Sequence, residues 1–562
     1  MRDTADWLIS ALAAEGVEVV FGNPGSTELP LVDAFARQDR VRYLLGLHEM
    51  AVMGMADGYA QSTGRLAVVN VHVQPGISNA LAGMINASRA RVPMLVTVGQ
   101  QVTGMLDEQA FLGGDVLGPA APFAKGLWDP RRTSDLPAAI SEALRCACTP
   151  PYGPVVVSLP MDVLVSAPPV DPHTPVGWGL APAPSATAIA ELAARAVGAE
   201  HPVLLVGDGV AHADAGPQVI ALSDRLGAPM LGEPWASRVA VHANAALWAG
   251  SLPIFGAQIR ARLAGHDLVI ALGMPTFRLF GSSPGPTLAP ETELVVIDEG
   301  PADLSSGVRP VQTIHGSLVA TIAGVRAILG APDARVGDRR TAAIAACALA
   351  RRAARRAVVG AGGTTAITPT DFARGVAGAI GPRDVVFDES LTAGRAVRTM
   401  MGARAPGSWF AHRGSALGGW LPAAVGAAIA HPERRVICLH GDGSRLCGIH
   451  ALWTAAHLGA RLALVVADNQ GYEILRAGME GMTGRAQGNW SGLAIRAPEL
   501  DIVQIARGFG ASAERVDHPR ELAGALRDLL GRAHDGPAVL VVRIVGTTPA
   551  IGYPIAPQAG DG

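Results

Sequence analysis

The sequence predicts an α/β protein made of three doubly wound parallel-sheet units. Three observations carry that expectation. Short β-branched apolar runs alternate with helical stretches along most of the chain, the pattern of parallel strands covered by helices. At 562 residues the chain is too long for one hydrophobic core, and its 49% apolar content is enough to fill about three or four. A Pro-rich stretch at 167–184 interrupts the alternation as a linker does.

The first unit, 1–166, has expected strands at 17–21, 41–45, 68–73, 94–98 and 155–159. The second, 185–330, has them at 202–206, 268–271 and 294–297. An Ala/Arg-rich helix at about 342–357 then runs into Gly360-Ala361-Gly362-Gly363 and opens the third unit, 365–548. Its expected strands lie at 385–387, 436–440, 462–467 and 538–542, and the Pro/Gly-rich tail after Thr548 has no usable pattern.

Composition excludes several classes of function. A net charge of −3, with 45 basic and 48 acidic residues, makes no field that would draw nucleic acid or an anionic membrane. No apolar run reaches the roughly 18 residues needed to cross a bilayer, and the start lacks a secretory profile, so a cytoplasmic protein is expected. Five cysteines, with Cys146-Ala147-Cys148 wrongly spaced for zinc or redox work, read as small buried residues of a reducing compartment. Lys125 is the only lysine, which rules out a Walker phosphate loop and leaves one candidate for Schiff-base chemistry.

Chemistry concentrates in the third unit. The expected strand at 436–440 runs into Gly441-Asp442-Gly443-Ser444, and the strand at 462–467 runs into Asp468-Asn469-Gln470-Gly471-Tyr472, with a helix at about 448–458 between them. If these strands are neighbours, their carboxyl ends lie about 5 Å apart, so Asp442 and Asn469 converge in the crevice where α/β sheets bind ligands. An Asp carboxylate, an Asn carbonyl and a backbone carbonyl are hard oxygen donors suited to Mg²⁺ or Ca²⁺ shared with a diphosphate. Gly441 and Gly443 permit close backbone approach, and Ser444 lies where a helix start could donate amides. Gly-Asp-Gly alone is a weak signal; Val206-Gly207-Asp208-Gly209 in the second unit reads as an ordinary turn.

In the first unit Ser26, Glu49 and His72 each follow or end an expected strand, which places them on one rim of the sheet. Each also has a plainer reading. Ser26 could cap a helix, Glu49 could be an exposed first-turn carboxylate favoured by the helix dipole, and His72 could be a core residue. Their coincidence on three strand ends favours a site.

These motifs resemble the thiamine-diphosphate decarboxylase and acetolactate-synthase superfamily, and within it the benzoylformate decarboxylases. The similarity runs from about residue 5 to 545 and is densest in Val20-Phe21-Gly22-Asn23-Pro24-Gly25-Ser26, His48-Glu49, Ala56-Asp57-Gly58-Tyr59-Ala60, Gly99-Gln100-Gln101 and Gly441 to Tyr472. The resemblance implies pyrimidine-binding, middle and diphosphate-binding domains in that order, with thiamine diphosphate and a divalent metal as cofactors. It implies that Glu49 bonds the aminopyrimidine N1′, that Leu417 bends the cofactor, and that the Ser415 carbonyl accepts from N4′. Asp442, Asn469 and the Gly471 carbonyl match the metal shell, and Tyr472 and Ile474 complete the cofactor site. Ser26 would hold the carboxylate of a small 2-oxo acid and His72 would move protons. The resemblance also implies dimers or tetramers in which the first unit of one subunit faces the third unit of another.

Three departures reshape the expected pocket. Phe280 stands where the benzoylformate decarboxylases carry a second catalytic histidine. Ile474 replaces a small residue and Gly478 an aromatic one, leaving Phe111, Leu112, Phe280, Thr392, Ile474 and Gly478 as a mostly apolar wall. Asp468 replaces the first Asn of an Asn-Asn pair. Decarboxylation of an apolar 2-oxo acid is the expected activity, with carboligation or cleavage of 2-hydroxy ketones as the alternative. A non-catalytic cofactor binder would have no need of Glu49, and the second unit gives no clear support for an FAD site.

Overall fold

The computed structural model describes residues 2–108, 110–281, 283–305, 307–358, 362–401, 404–484 and 492–545. The tail after Thr548, residues 546–548 of the third unit's expected range, and Gly360 and Ala361 lie outside them.

Among the described residues, eighteen strands form three six-stranded sheets, and every strand pairing within them is parallel. The first contains β1 (Val19–Asn23), β2 (Arg42–Leu45), β3 (Ala67–Val71), β4 (Met94–Gln100), β5 (Leu127–Trp128) and β6 (Pro154–Pro160). Their order is β2-β1-β3-β4-β6-β5. The second sheet contains β7 (Pro202–Val206), β8 (Met230–Gly232), β9 (Trp248–Ser251), β10 (Leu268–Leu272), β11 (Glu293–Asp298) and β12 (Gln312–His315), ordered β12-β11-β10-β7-β8-β9. The third contains β13 (Val385–Glu389), β14 (Trp409–Ala411), β15 (Val436–Gly441), β16 (Leu462–Asp468), β17 (Ser512–Val516) and β18 (Ala538–Arg543). Its order, β14-β13-β15-β16-β18-β17, repeats that of the first sheet.

The first and third sheets therefore share one topology, and the second has the other doubly wound order. Each order has a switch point where successive crossovers leave in opposite directions and a crevice opens at the strands' carboxyl ends. In the first sheet it lies between β1 and β3, in the third between β13 and β15. The sequence pattern located the mostly buried strands together with the half-exposed β2, and missed β5, β8, β9, β12, β14 and β17. These six are short or only partly buried, so they lack a continuous apolar run.

The first and third units pack through two helices, Glu49–Thr63 and Trp420–Ala430. The approach is close because glycine lines it on both sides. A Cβ at Gly58 would lie 1.9 Å from the Ala423 carbonyl oxygen, and one at Gly426 would lie 1.9 Å from that of Met55. One continuous core results, joining Phe21, Met55 and Val69 of the first unit to Phe387, Trp420 and Val466 of the third. The stretch at 167–184 forms no helix or strand, but it is tied down where Trp7 Nε1 donates to the Asp171 carbonyl at 2.9 Å. Among the described residues, no helix is long and apolar enough to cross a membrane.

Candidate cofactor and catalytic site

β15 and β16 are neighbours in register, with Gly441 opposite Ala467, so the two polar turns meet as the sequence suggested. Asp442 Oδ2 accepts from the amides of Asn469 at 3.2 Å and Gly471 at 3.0 Å. Burial, reinforced by the nearby Asp468 carboxylate, pushes the Asp442 carboxyl up to about 6. Asn469 Oδ1 is buried without a hydrogen-bond partner, a costly state for a carbonyl unless something absent from the protein chain completes it. A hard divalent cation bonded to Asp442 and Asn469 would do so. Among the described residues no three His, Cys, Asp or Glu side chains gather as a metal site, so such an ion needs the Asn and main-chain oxygens of this turn.

The turn itself differs from expectation. Ser444 opens a 3₁₀ turn, Ser444–Cys447, and the α-helix proper is Ala451–His457, shorter than the helix expected at 448–458. Gly443 leaves no room for a side chain, since its Cβ would lie 2.6 Å from the Tyr472 ring. Asp468 Oδ1 accepts from the Gln470 amide at 3.2 Å while its Oδ2 lies 3.3 Å from Arg543 Nε, so the carboxylate ties the turn to β18. Arg445, absent from the sequence reading, is 1% exposed beneath the turn, and burial brings its guanidinium down to about 10.

At the first sheet's rim, Asn23 ends β1, Glu49 follows β2 as the first residue of its helix, and His72 follows β3 as the N-cap of Val73–Arg89. The three strands are adjacent, which brings the side chains together. Glu49 is buried, not an exposed first-turn acid: Asn23 Nδ2 donates to its Oε1 at 3.2 Å and Asn79 Nδ2 to its Oε2 at 3.1 Å. Ser26 is exposed in a short 3₁₀ turn whose N-cap is Gly25, so helix capping does not explain it.

His72 is half-buried and held by a partner the sequence reading missed. Its Nδ1 lies 2.7 Å from Oε2 of Glu28, a fully buried carboxylate that also accepts from the Gly25 amide at 2.8 Å and the Thr27 hydroxyl at 2.9 Å. Gly99 makes the space, since a Cβ there would sit 1.5 Å from Glu28 Oε1. With Nδ1–H directed at the carboxylate, Nε2 is the nitrogen left for proton transfer. The signal was present in the sequence, because Glu28 stands two residues after Ser26 and Gly99 lies in a motif already noted.

The loop carrying Ser415 and Leu417 joins β14 to the helix Trp420–Ala430. Ser415 has φ 72° and Leu417 is 40% exposed. Arg413 anchors the start of this loop in the second unit, donating to Asp208 and, at 2.6 Å, to Glu233 Oε1. Asp208 also accepts from the Ser237 amide, so the Gly207-Asp208-Gly209 turn is an interdomain anchor.

The expected pocket residues are spread over three units and are not enclosed by the single chain. Phe111 is 89% and Phe280 44% exposed, Leu112 has φ 65°, and Thr392 opens its own helix. Ile474 and the buried Gly478 lie on the helix Glu473–Thr483, which Tyr472 precedes as N-cap. Phe280 packs near Trp235 and Phe255, with ring centroids 6.0 Å away in each case. Two hollows, of about 340 and 330 Å³, lie by Glu18, at the opposite rim of the first sheet.

Comparison with known proteins matches three family models in the order of the three sheets. Residues 2–116 match the thiamine pyrophosphate enzyme N-terminal TPP-binding domain, 189–325 its central domain, and 392–542 its C-terminal TPP-binding domain. Benzoylformate decarboxylase of Pseudomonas aeruginosa is 35% identical over 542 residues, covering 94% of this chain and 97% of that protein. The large subunit of acetolactate synthase isozyme 1 of Escherichia coli is 26% identical over 568 residues, covering 98% and 95%. Among solved structures, the thiamine diphosphate-dependent 4-hydroxybenzoylformate decarboxylase of Rhodococcus jostii superposes with TM-score 0.82 at 28% identity, covering 96% of this chain and 99% of that one.

Proposed function

Since the chain belongs to the thiamine pyrophosphate enzymes, we propose that it removes CO₂ from an apolar 2-oxo acid, benzoylformate or a relative of it, and releases the aldehyde. The observation that carries this reading is the Glu28–His72 pair beside Ser26, an oriented proton-transfer group on the same rim as the buried Glu49. Thiamine diphosphate, when bound, supplies the electron sink for the electron pair that departing CO₂ leaves behind, a sink that a 2-oxo acid lacks.

Every other role falls to this chain's residues. Asp442, Asn469 and the Gly471 carbonyl would hold Mg²⁺ or Ca²⁺, and Gly441, Gly443 and Ser444 would admit the diphosphate. Glu49 would accept or share a proton at the aminopyrimidine N1′, while the Ser415 carbonyl and the Leu417 side chain set that ring's position. Ser26 would hold the substrate carboxylate, and His72 Nε2 would deliver a proton to the substrate's carbonyl oxygen. The mostly apolar wall of Phe111, Leu112, Phe280, Thr392, Ile474 and Gly478 would exclude water from the acyl group.

Phe111 and Phe280, with Leu417 and Tyr472 (38% exposed), are open in one chain. Apolar surface of this kind around a polar site is typical of an interface. A dimer or tetramer in which the first unit of one copy covers the third unit of another would close it. The five free cysteines suit a reducing cytoplasm.

Phe280 favours a second reading. It cannot transfer a proton, so product release would slow and attack on a second carbonyl would gain time, making the protein a carboligase for 2-hydroxy ketones. Incubation with benzoylformate, pyruvate and branched 2-oxo acids, measuring CO₂, aldehyde and acyloin separately, decides between them. Free aldehyde matching CO₂ supports the decarboxylase; acyloin without aldehyde overturns it.

A further inference from the structure

A buried Glu–His pair sits at the switch point of the third sheet. Glu389 ends β13 and His440 lies on β15, directly opposite it in register. Both side chains are fully buried, and His440 Nε2 lies 3.3 Å from Glu389 Oε2 without hydrogen-bond alignment. Nothing in the proposed chemistry uses either group. Burying two polar side chains costs more than burying an apolar pair of the same size, so their presence asks for another reason.

Its outer contacts supply one. The Glu389 carboxylate accepts from the backbone amides of Gly418 and, at 2.9 Å, Trp420. These amides flank the end of the loop that carries Ser415 and Leu417. On the other side, His440 Nδ1 is 3.0 Å from the Ser444 hydroxyl in the diphosphate turn. A single line of contacts thus joins the loop proposed to hold the aminopyrimidine end of the cofactor to the turn proposed to hold its diphosphate end. Gly418, at φ 88°, reinforces the junction: a Cβ there would lie 2.4 Å from that of Cys447 in the same turn.

We infer that Glu389 and His440 are positioning residues, a strut that fixes the spacing between the Ser415–Leu417 loop and the Ser444 turn. The inference rests on the proposed cofactor site. A ligand that spans both ends depends on that spacing, whereas one that fills only the diphosphate turn does not. A carboxylate whose amide bonds merely stabilise the fold makes no such distinction.

The test compares thiamine diphosphate with inorganic diphosphate, both with saturating Mg²⁺, by calorimetric titration of the full-length protein and of Glu389→Gln. Glutamine keeps the shape and loses the charge that strengthens the two amide bonds and draws in His440. Thiamine diphosphate should bind about tenfold or more weakly, with inorganic diphosphate changed by less than about twofold. Equal weakening of both ligands, or no change in either, would overturn the strut. If Glu389→Gln does not fold, His440→Asn replaces it, keeping an amide within reach of Ser444 while giving up Glu389. The same split is expected, and equal weakening overturns the inference there too. A wild-type protein that binds neither ligand would sink the cofactor site and the strut with it, a result distinct from failure of the strut alone.

Discussion

Replacing Glu28 with glutamine should slow turnover without disturbing cofactor binding. The carboxylate lies 2.7 Å from His72 Nδ1 and is buried among the Gly25 amide and the Thr27 hydroxyl, so glutamine fills the same space. What it removes is the charge on the acceptor. A hydrogen bond to a charged group contributes about 1.5–3 kcal/mol, which converts to roughly 10- to 150-fold in rate if it is fully used in orienting His72. The ceiling is the effect of removing the imidazole, since a placed proton-transfer group is worth about 10²- to 10⁴-fold. The assay is steady-state CO₂ release from benzoylformate by wild type, Glu28→Gln, His72→Ala and the double variant. The two single losses should not multiply, because Glu28 acts only through His72. Multiplicative losses, or a Glu28→Gln variant at wild-type rate, would refute the pairing.

Asn469→Ala should weaken Mg²⁺-dependent binding of thiamine diphosphate by at least about tenfold, because it deletes the unpaired buried carbonyl proposed as a metal ligand; titration with and without a chelator measures it, and an unchanged affinity would contradict the metal turn. Asp57, 1% exposed in the helix that Glu49 opens, has its carboxyl pushed up to about 7 by burial. The native state therefore keeps a proton that the unfolded chain releases near pH 4, and stability from this residue falls as pH rises between about 4 and 7. Asp57→Asn should raise the melting temperature at pH 8 by several degrees, with the gain shrinking towards pH 5; a pH-independent difference would rule this out. Gly58→Val should cost at least about 1–3 kcal/mol, since its side chain must displace the Ala423 backbone. Thermal unfolding measures the loss, and a wild-type transition would mean the two helices are not packed as described.

What was legible in the sequence follows from burial and from spacing. β3, β4, β15 and β16 are buried along their whole length or nearly so, and each ends in a polar residue or turn, so strand and site were read together. Asp442 and Asn469 could be paired because a single βαβ unit separates them. Glu28 and Glu389 went unread for a different reason. Their partners, His72 and His440, are 44 and 51 positions away, and the pairing depends on strands β1/β3 and β13/β15 being adjacent across a switch point. No local periodicity encodes that adjacency. Most of the missed strands lie at sheet edges, where short or half-exposed runs do not stand out, and β8 is only three residues long. The shared order of the first and third sheets, set by three-dimensional crossovers, leaves no repeat in the residues themselves.

On the proposed reading, Glu49 and the Asp442–Asn469 turn serve one bound thiamine diphosphate. Hydrogen–deuterium exchange at C2 of the cofactor, followed by rapid quench and NMR, tests it most directly in wild type and in Glu49→Gln, each loaded with Mg²⁺. Exchange should be much faster on the wild-type protein than in solution, and should fall by about 10²- to 10⁴-fold in the variant while the cofactor stays bound. Exchange on wild type no faster than in free solution, or undiminished in Glu49→Gln, would contradict the claim.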